Sequence, residues 1–169
     1  MGYFVRMISR AKWPDGVNVK FTSVNDLSAD AITCDLKTAG NEFSWWKIEN
    51  LTEMEDMAIA IASVFKSKAP VFVVAVPEES IISNSLDVEN TPNHALTAIS
   101  CMRKNHYDIQ HLNVGKIMII AELVARSIQE KNIVYIRYAT IKEKLKALIA
   151  KNEVDISYLG AAYEQLLEG

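Results

Sequence analysis

The chain has 169 residues, half of them apolar and 23% charged. That balance excludes whole-chain disorder and suits one α/β domain, 1–169, able to bury roughly 70% of its extended-chain surface. Eighteen Lys and Arg against 21 Asp and Glu leave a net charge of −3, which excludes a broadly basic surface made for nucleic acid.

Tyr3–Arg10 is rich in β-formers and predicts a strand, with Tyr3, Val5 and Met7 on one face and Phe4, Arg6 and Ile8 on the other. Trp13-Pro14-Asp15-Gly16 signals a turn. Ser28 opens a short helix to about Lys37, with Leu27, Ala31 and Leu36 inward, ended by Gly40 and Asn41. Nearby Asp26, Asp30 and Asp35 read as caps and solvated acids. Phe43–Ile48 is a second strand in which Trp45 and Trp46, being adjacent, point to opposite faces. Thr52 with Glu55 three residues on forms a capping box, opening a helix whose apolar face runs to Phe65. Val71–Val76 is apolar throughout, the pattern of a strand covered on both faces. Strand, helix and buried strand in this order predict a βαβ unit with a parallel pair.

Pro77–Pro92 reads as a long irregular loop, and His94–His106 as weakly helical. Asn113 caps a helix to Lys131, and Ile119, Ile120 and Leu123 widen its apolar stripe beyond one face. Such a helix is expected to be buried on two sides, within the domain or in a homodimer. Asn132 suits its end, Ile133–Tyr138 a further strand, and Thr140 and Asp155 cap two closing helices. The expected fold is a small, mostly parallel or mixed sheet flanked by helices, with a helical C-terminal third.

The chemistry-bearing residues are sparse. No glycine loop of the GxGxxG or GxxxxGK type cradles a phosphate, and no cofactor is expected. His94, His106 and His111 fall within 18 residues, with Cys101 among them. His94 and Cys101 are the candidate metal ligands, although no CxxC or HxxxH spacing anchors a site. Glu78, Glu79 and Ser80 follow the buried strand, where a parallel sheet opens its ligand crevice. With His106 they are the candidate catalytic residues. Residues 131–151 hold Lys131, Arg137, Lys142, Lys144, Lys146 and Lys151 against Glu143 alone, while residues 49–56 hold Glu49, Glu53, Glu55 and Asp56 with no base.

The reading favoured is a binding or regulatory protein of immunity, antitoxin or adaptor type in a bacterium. Its partner is another protein, or a second copy, met through Trp45, Trp46, Ile120, Leu123, Lys142 and Lys146. The alternative is a small hydrolase or phosphate-handling enzyme using Glu78, Glu79 and a histidine. Nucleic-acid binding through 131–151 comes third. Two isolated thiols, no apolar leader, Arg6 where a myristoylation signal needs Ser or Thr, and no apolar run of the ~20 residues that cross a bilayer point to a cytoplasmic protein without membrane contact.

Overall fold

The computed structural model describes residues 2–14 and 21–167. Asp15 and Gly16 of the expected turn lie outside them. The strands are β1 Tyr3–Met7, β2 Phe43–Ile48, β3 Val71–Pro77, β4 Asp87–Asn90, β5 His106–Gln110 and β6 Ile133–Ile136. They form one sheet in the order β4-β5-β2-β1-β3-β6, and every neighbouring pair is antiparallel.

The expected parallel pair is therefore corrected. β2 and β3 do run in the same direction, since each is antiparallel to β1, but β1 lies between them. The physical reason is the N-terminal strand. Its β-formers bond on both sides and take the slot that a direct crossover would have closed. The link from β2 to β3 is a split βαβ connection.

Helices cover both faces. α1 Met54–Ala62 and α4 Tyr138–Ala150 lie on one side, α3 Val114–Gln129 on the other, and α2 Glu78–Ser83 follows β3. The alternation of β1 decides which side chains meet which layer: Phe4 and Ile8 pack under α3, and Val5 packs under α1 and α4. Val71, Val73 and Ala75 face one layer and Phe72, Val74 and Val76 the other, so β3 is apolar at every position. No helix among the described residues is long and apolar enough to cross a membrane.

Local chemistry moved several boundaries. α1 and the turn before it are capped by Asn50, not Thr52. The Asn50 side chain accepts from Thr52 N at 3.1 Å, and Glu53 reaches back to Asn50 Nδ2 and Glu49 N. Asn is the stronger N-cap, so the entry slides earlier. Gly40 and Asn41 do not end a helix. Both are left-handed (φ 64°) and form the two-residue turn that joins Ala39 to Glu42. α3 begins at the expected cap, with Asn113 accepting from Lys116 N at 2.9 Å. It ends on Lys131 (φ 63°), whose neighbour Asn132 donates to Ser127 O at 2.9 Å.

Pro77–Pro92 is not a loop. It contains α2 and β4, both too short for periodicity to show, and β4 is an edge strand whose polar residues meet solvent. His94–His106 is helical only in part: Ser100–Asn105 forms a 3-10 helix that leads into β5. The second closing helix is also corrected. Asp155 caps a single turn, Ile156–Tyr158, and Gly160 then separates it from the turns at Ala161–Leu166. Ile156 is exposed while Tyr163 is fully buried.

Tyr163 stacks on Tyr138 with centroids 5.6 Å apart, yet its hydroxyl has no partner among the described residues. Burial first, and then the neighbouring Tyr138, push its pKa up to about 12. The unfolded chain ionises this tyrosine near pH 10 and the folded chain does not. Stability from this group is therefore complete below about pH 10 and lost as the pH rises toward 12, by on the order of 2 kcal/mol. Tyr163→Phe is expected to match the parent or gain slightly at pH 7, because it removes an unpaired buried donor. It is also expected to lose less stability than the parent across that alkaline range. Urea midpoints of both chains at pH 7, 10 and 11 check this.

Candidate functional site

Two regions combine polar groups with a defined geometry. The first is a polar network where β2 and β5 pair. Register sets Ser44 opposite Asp108 and Trp46 opposite His106. These polar side chains project to the α1 side but lie beyond the helices, under the segment Thr91–Asn105. Ser44 Oγ donates to Asp108 Oδ1 at 3.0 Å, and His94 Nδ1 lies 2.8 Å from Asp108 Oδ2. Glu42, fixed by the turn at Gly40–Asn41, completes a group whose ligand-type atoms all lie within 4.8 Å of one another.

The electrostatics of the pair are clear in direction. The hydrogen bond to Asp108 raises the pKa of His94. For Asp108 the largest single influence, burial, acts upward. The hydrogen bonds from His94, Thr91 and Ser44 together outweigh it, so the carboxyl sits below its ordinary value. His106 differs. It is 2% exposed, stands edge-on to Trp46 at 5.0 Å, and is lowered in pKa first by burial. It is a neutral core histidine bonded to Thr91, whose hydroxyl and carbonyl each lie 3.0 Å from its Nδ1.

The second region is the sheet edge formed by β6. Ala75 N bonds Asn132 O across the β3–β6 ladder. Alternation then turns the backbone groups of Ile133 and Tyr135 outward, away from β3. No partner for them occurs among the described residues. β4, the opposite edge, carries Asp87 and Glu89, whereas β6 reads Ile-Val-Tyr-Ile with no charge. Beside β6 opens a cleft of about 460 Å³ lined by Met7, Phe65, Pro70, Phe72 and Tyr135, with Arg10 and Lys66 at its rim. Met7 and Tyr135 are exposed. Among the described residues, no acidic side chain lines this cleft.

The residues singled out from the sequence fall elsewhere. Glu78 is held by Lys47 at 2.6 Å, and its amide donates to Gly2 O at 2.9 Å. Glu79 is exposed, and Ser80 serves α2, its carbonyl accepting from Asn84 Nδ2 at 2.8 Å. His106 is in the core network, where its partners are Thr91 and Trp46. Trp45 and Trp46 do point to opposite faces and both are core, at 0% and 7% exposure. On α3 itself Ile120 is buried and Leu123 half-buried against the sheet, so the wide stripe of that helix is largely used within the chain. Lys142 is half-buried and Lys146 exposed. The acidic and basic stretches meet each other across α1 and α4, where Lys144 Nζ lies 3.5 Å from Glu55. Cys34 and Cys101 are free and exposed. Cys101 lines a separate groove with Met102, Lys144 and Lys151, whereas His94 is brought to Glu42 and Asp108.

Sequence reasoning missed Glu42, Asp108, Met7 and Tyr135. For the first two, only the cluster of histidines was a signal, because strand pairing brings their partners from far along the chain. For Tyr135 the signal was present in an uncharged four-residue strand.

No known protein family, curated protein or solved structure matches this chain.

Proposed function

We propose that this protein binds an extended segment of a partner protein, which adds to the sheet as a strand along β6. The observation that carries the reading is the pairing of an uncharged edge with outward backbone groups and an apolar cleft beside it. Native sheets usually protect such edges with charge, proline or a covering element, as β4 does here. Strand addition takes its affinity from main-chain hydrogen bonds and its selectivity from alternate side chains in neighbouring pockets. Arg10 and Lys66 at the rim favour a segment whose apolar residues alternate with Asp or Glu. They disfavour a second copy, whose edge would bring the same basic residues.

An immunity, antitoxin or adaptor role operates through contacts of this kind. Free, exposed thiols agree with a cytoplasmic setting. The acid–base alternative loses its geometric support at Glu78, which is committed to Lys47.

Selection from a random peptide library on the full chain tests the proposal. Enriched peptides are expected to alternate apolar and acidic residues. Tyr135→Pro removes only an outward N–H and a side chain, a change an edge strand accommodates. It is expected to keep the fold by circular dichroism and to weaken the selected peptides at least tenfold. Peptides that bind the Tyr135→Pro chain as well as the parent would overturn the proposal, as would a library with no binders.

A further inference from the structure

We propose that Glu42, His94 and Asp108 form a binding site for a divalent transition-metal ion of the zinc class. The argument starts from the donor set. One imidazole with two carboxylates suits zinc, cobalt or manganese, whereas magnesium and calcium take oxygen ligands almost exclusively. Bonds of about 2.0–2.2 Å to a central ion place ligand atoms roughly 3–3.5 Å apart. Here the three donor atoms already lie within 4.8 Å of one another, and the closest pair, His94 Nδ1 and Asp108 Oδ2, is at 2.8 Å. A metal needs Glu42 to close in and the hydrogen-bonded His94–Asp108 pair to open slightly, giving up its shared proton.

The three donors divide that movement sensibly. Asp108 is the anchor: its side chain is 4% exposed, it sits within β5, and Ser44 holds its other oxygen. His94 is 59% exposed at its side chain and stands on a short turn, and Glu42 is half-buried beside the Gly40–Asn41 turn. These two can swing onto an ion that Asp108 presents. Ser44 then fills the place of an outer group that orients a ligand carboxylate.

Charge points the same way. Among the described residues no lysine or arginine forms an ion pair with Glu42 or Asp108. Two carboxylates therefore share one locality in which, among the described residues, the neighbouring basic groups are the imidazoles of His94 and the buried His106. A dication relieves that repulsion and uses the His94 imidazole as a ligand. The exposed pair His111–Asp87, at 2.9 Å, lacks a third donor of this kind and serves as an internal comparison.

Co²⁺ titration of the full chain, followed by its visible ligand-field absorbance and competed with Zn²⁺, tests the site. One equivalent of Co²⁺ is expected to bind and to be displaced by Zn²⁺. His94→Ala, a change on an exposed turn, is expected to abolish the absorbance. Ser44→Ala is expected to weaken binding about tenfold or more, as loss of an outer-sphere partner does. His111→Ala should leave the titration unchanged. No saturable binding would overturn the site, as would binding that survives His94→Ala or disappears in His111→Ala. The proposal stands apart from peptide binding at β6, so Tyr135→Pro should not alter it.

Discussion

Replacing Trp45 with alanine is expected to destabilise the chain by about 3–5 kcal/mol, the range for emptying a buried aromatic position. Trp45 is fully enclosed on the α3 side of the sheet, edge-on to Phe43 with centroids 5.9 Å apart. It sits in a central strand, where neighbouring strands limit how far the site can collapse. A domain of this size holds only about 5–15 kcal/mol in all, so the variant should fall close to the margin of folding. Trp45→Phe separates packing from polarity. The indole Nε1 is buried without a partner, so phenylalanine loses volume but also discards an unpaired donor, and its cost should be well below that of alanine. Urea unfolding of both variants measures the difference. A Trp45→Ala chain within about 1 kcal/mol of the parent would contradict the packing described, since large-to-small core changes rarely cost so little. The same experiment separates two readings of this residue. A partner-binding tryptophan would cost affinity on replacement and leave stability nearly unchanged.

Gly160→Ala is expected to be comparably severe for a different reason. A Cβ at this position would lie 2.1 Å from the Phe65 carbonyl oxygen, 2.4 Å from the Val64 carbonyl carbon and 2.6 Å from the Phe65 nitrogen. These are backbone atoms that cannot rotate away. The backbone of Gly160 itself is ordinary, with φ −69° and ψ 149°, so alanine meets no torsional strain there. The whole effect is collision. Gly160 N bonds Ser63 O at 2.8 Å and Ala162 N bonds Phe65 O at 3.1 Å, and both must lengthen to admit a methyl group. Tyr163 is carried on the same segment and would be lifted from the core. The loss should reach or exceed the upper end of the ~1–3 kcal/mol typical of overpacking. Gly40→Ala is the contrasting control. Nothing lies within 4 Å of its Cβ position, but its φ is +64°, so its cost is the ~1–2 kcal/mol of a left-handed alanine. Urea midpoints of the two variants rank collision against strain. Equal stability of Gly160→Ala and the parent would show that the C-terminal turns do not press on the end of α1 as described.

What could be read in advance follows from which forces are local. α1, α3 and α4 announced themselves by apolar spacing, and β1, β2, β3 and β6 by runs of β-formers, because in each the burial pattern repeats along the chain. β5 did not, since His106 and Asp108 point inward and invert the usual alternation of apolar and polar. α2 and β4 are too short to show a period. The candidate sites divide in the same way. A cluster of histidines was visible, but its useful member, His94, finds Glu42 and Asp108 only through the register of β2 on β5. Glu78 stood where a parallel sheet would place a site, and lost that standing when β1 entered between β2 and β3.

The sequence by itself determined the α/β class, the double covering of β3, the opposite facing of Trp45 and Trp46, and the principal helices. Each depends on residues within one turn or one strand of each other. Only the tertiary structure decided the antiparallel order of the strands, the uncharged edge at β6 and the grouping of Glu42, His94 and Asp108. Those depend on which strand bonds to which, a choice made by long-range burial and hydrogen bonding of the whole sheet, and no local pattern encodes it.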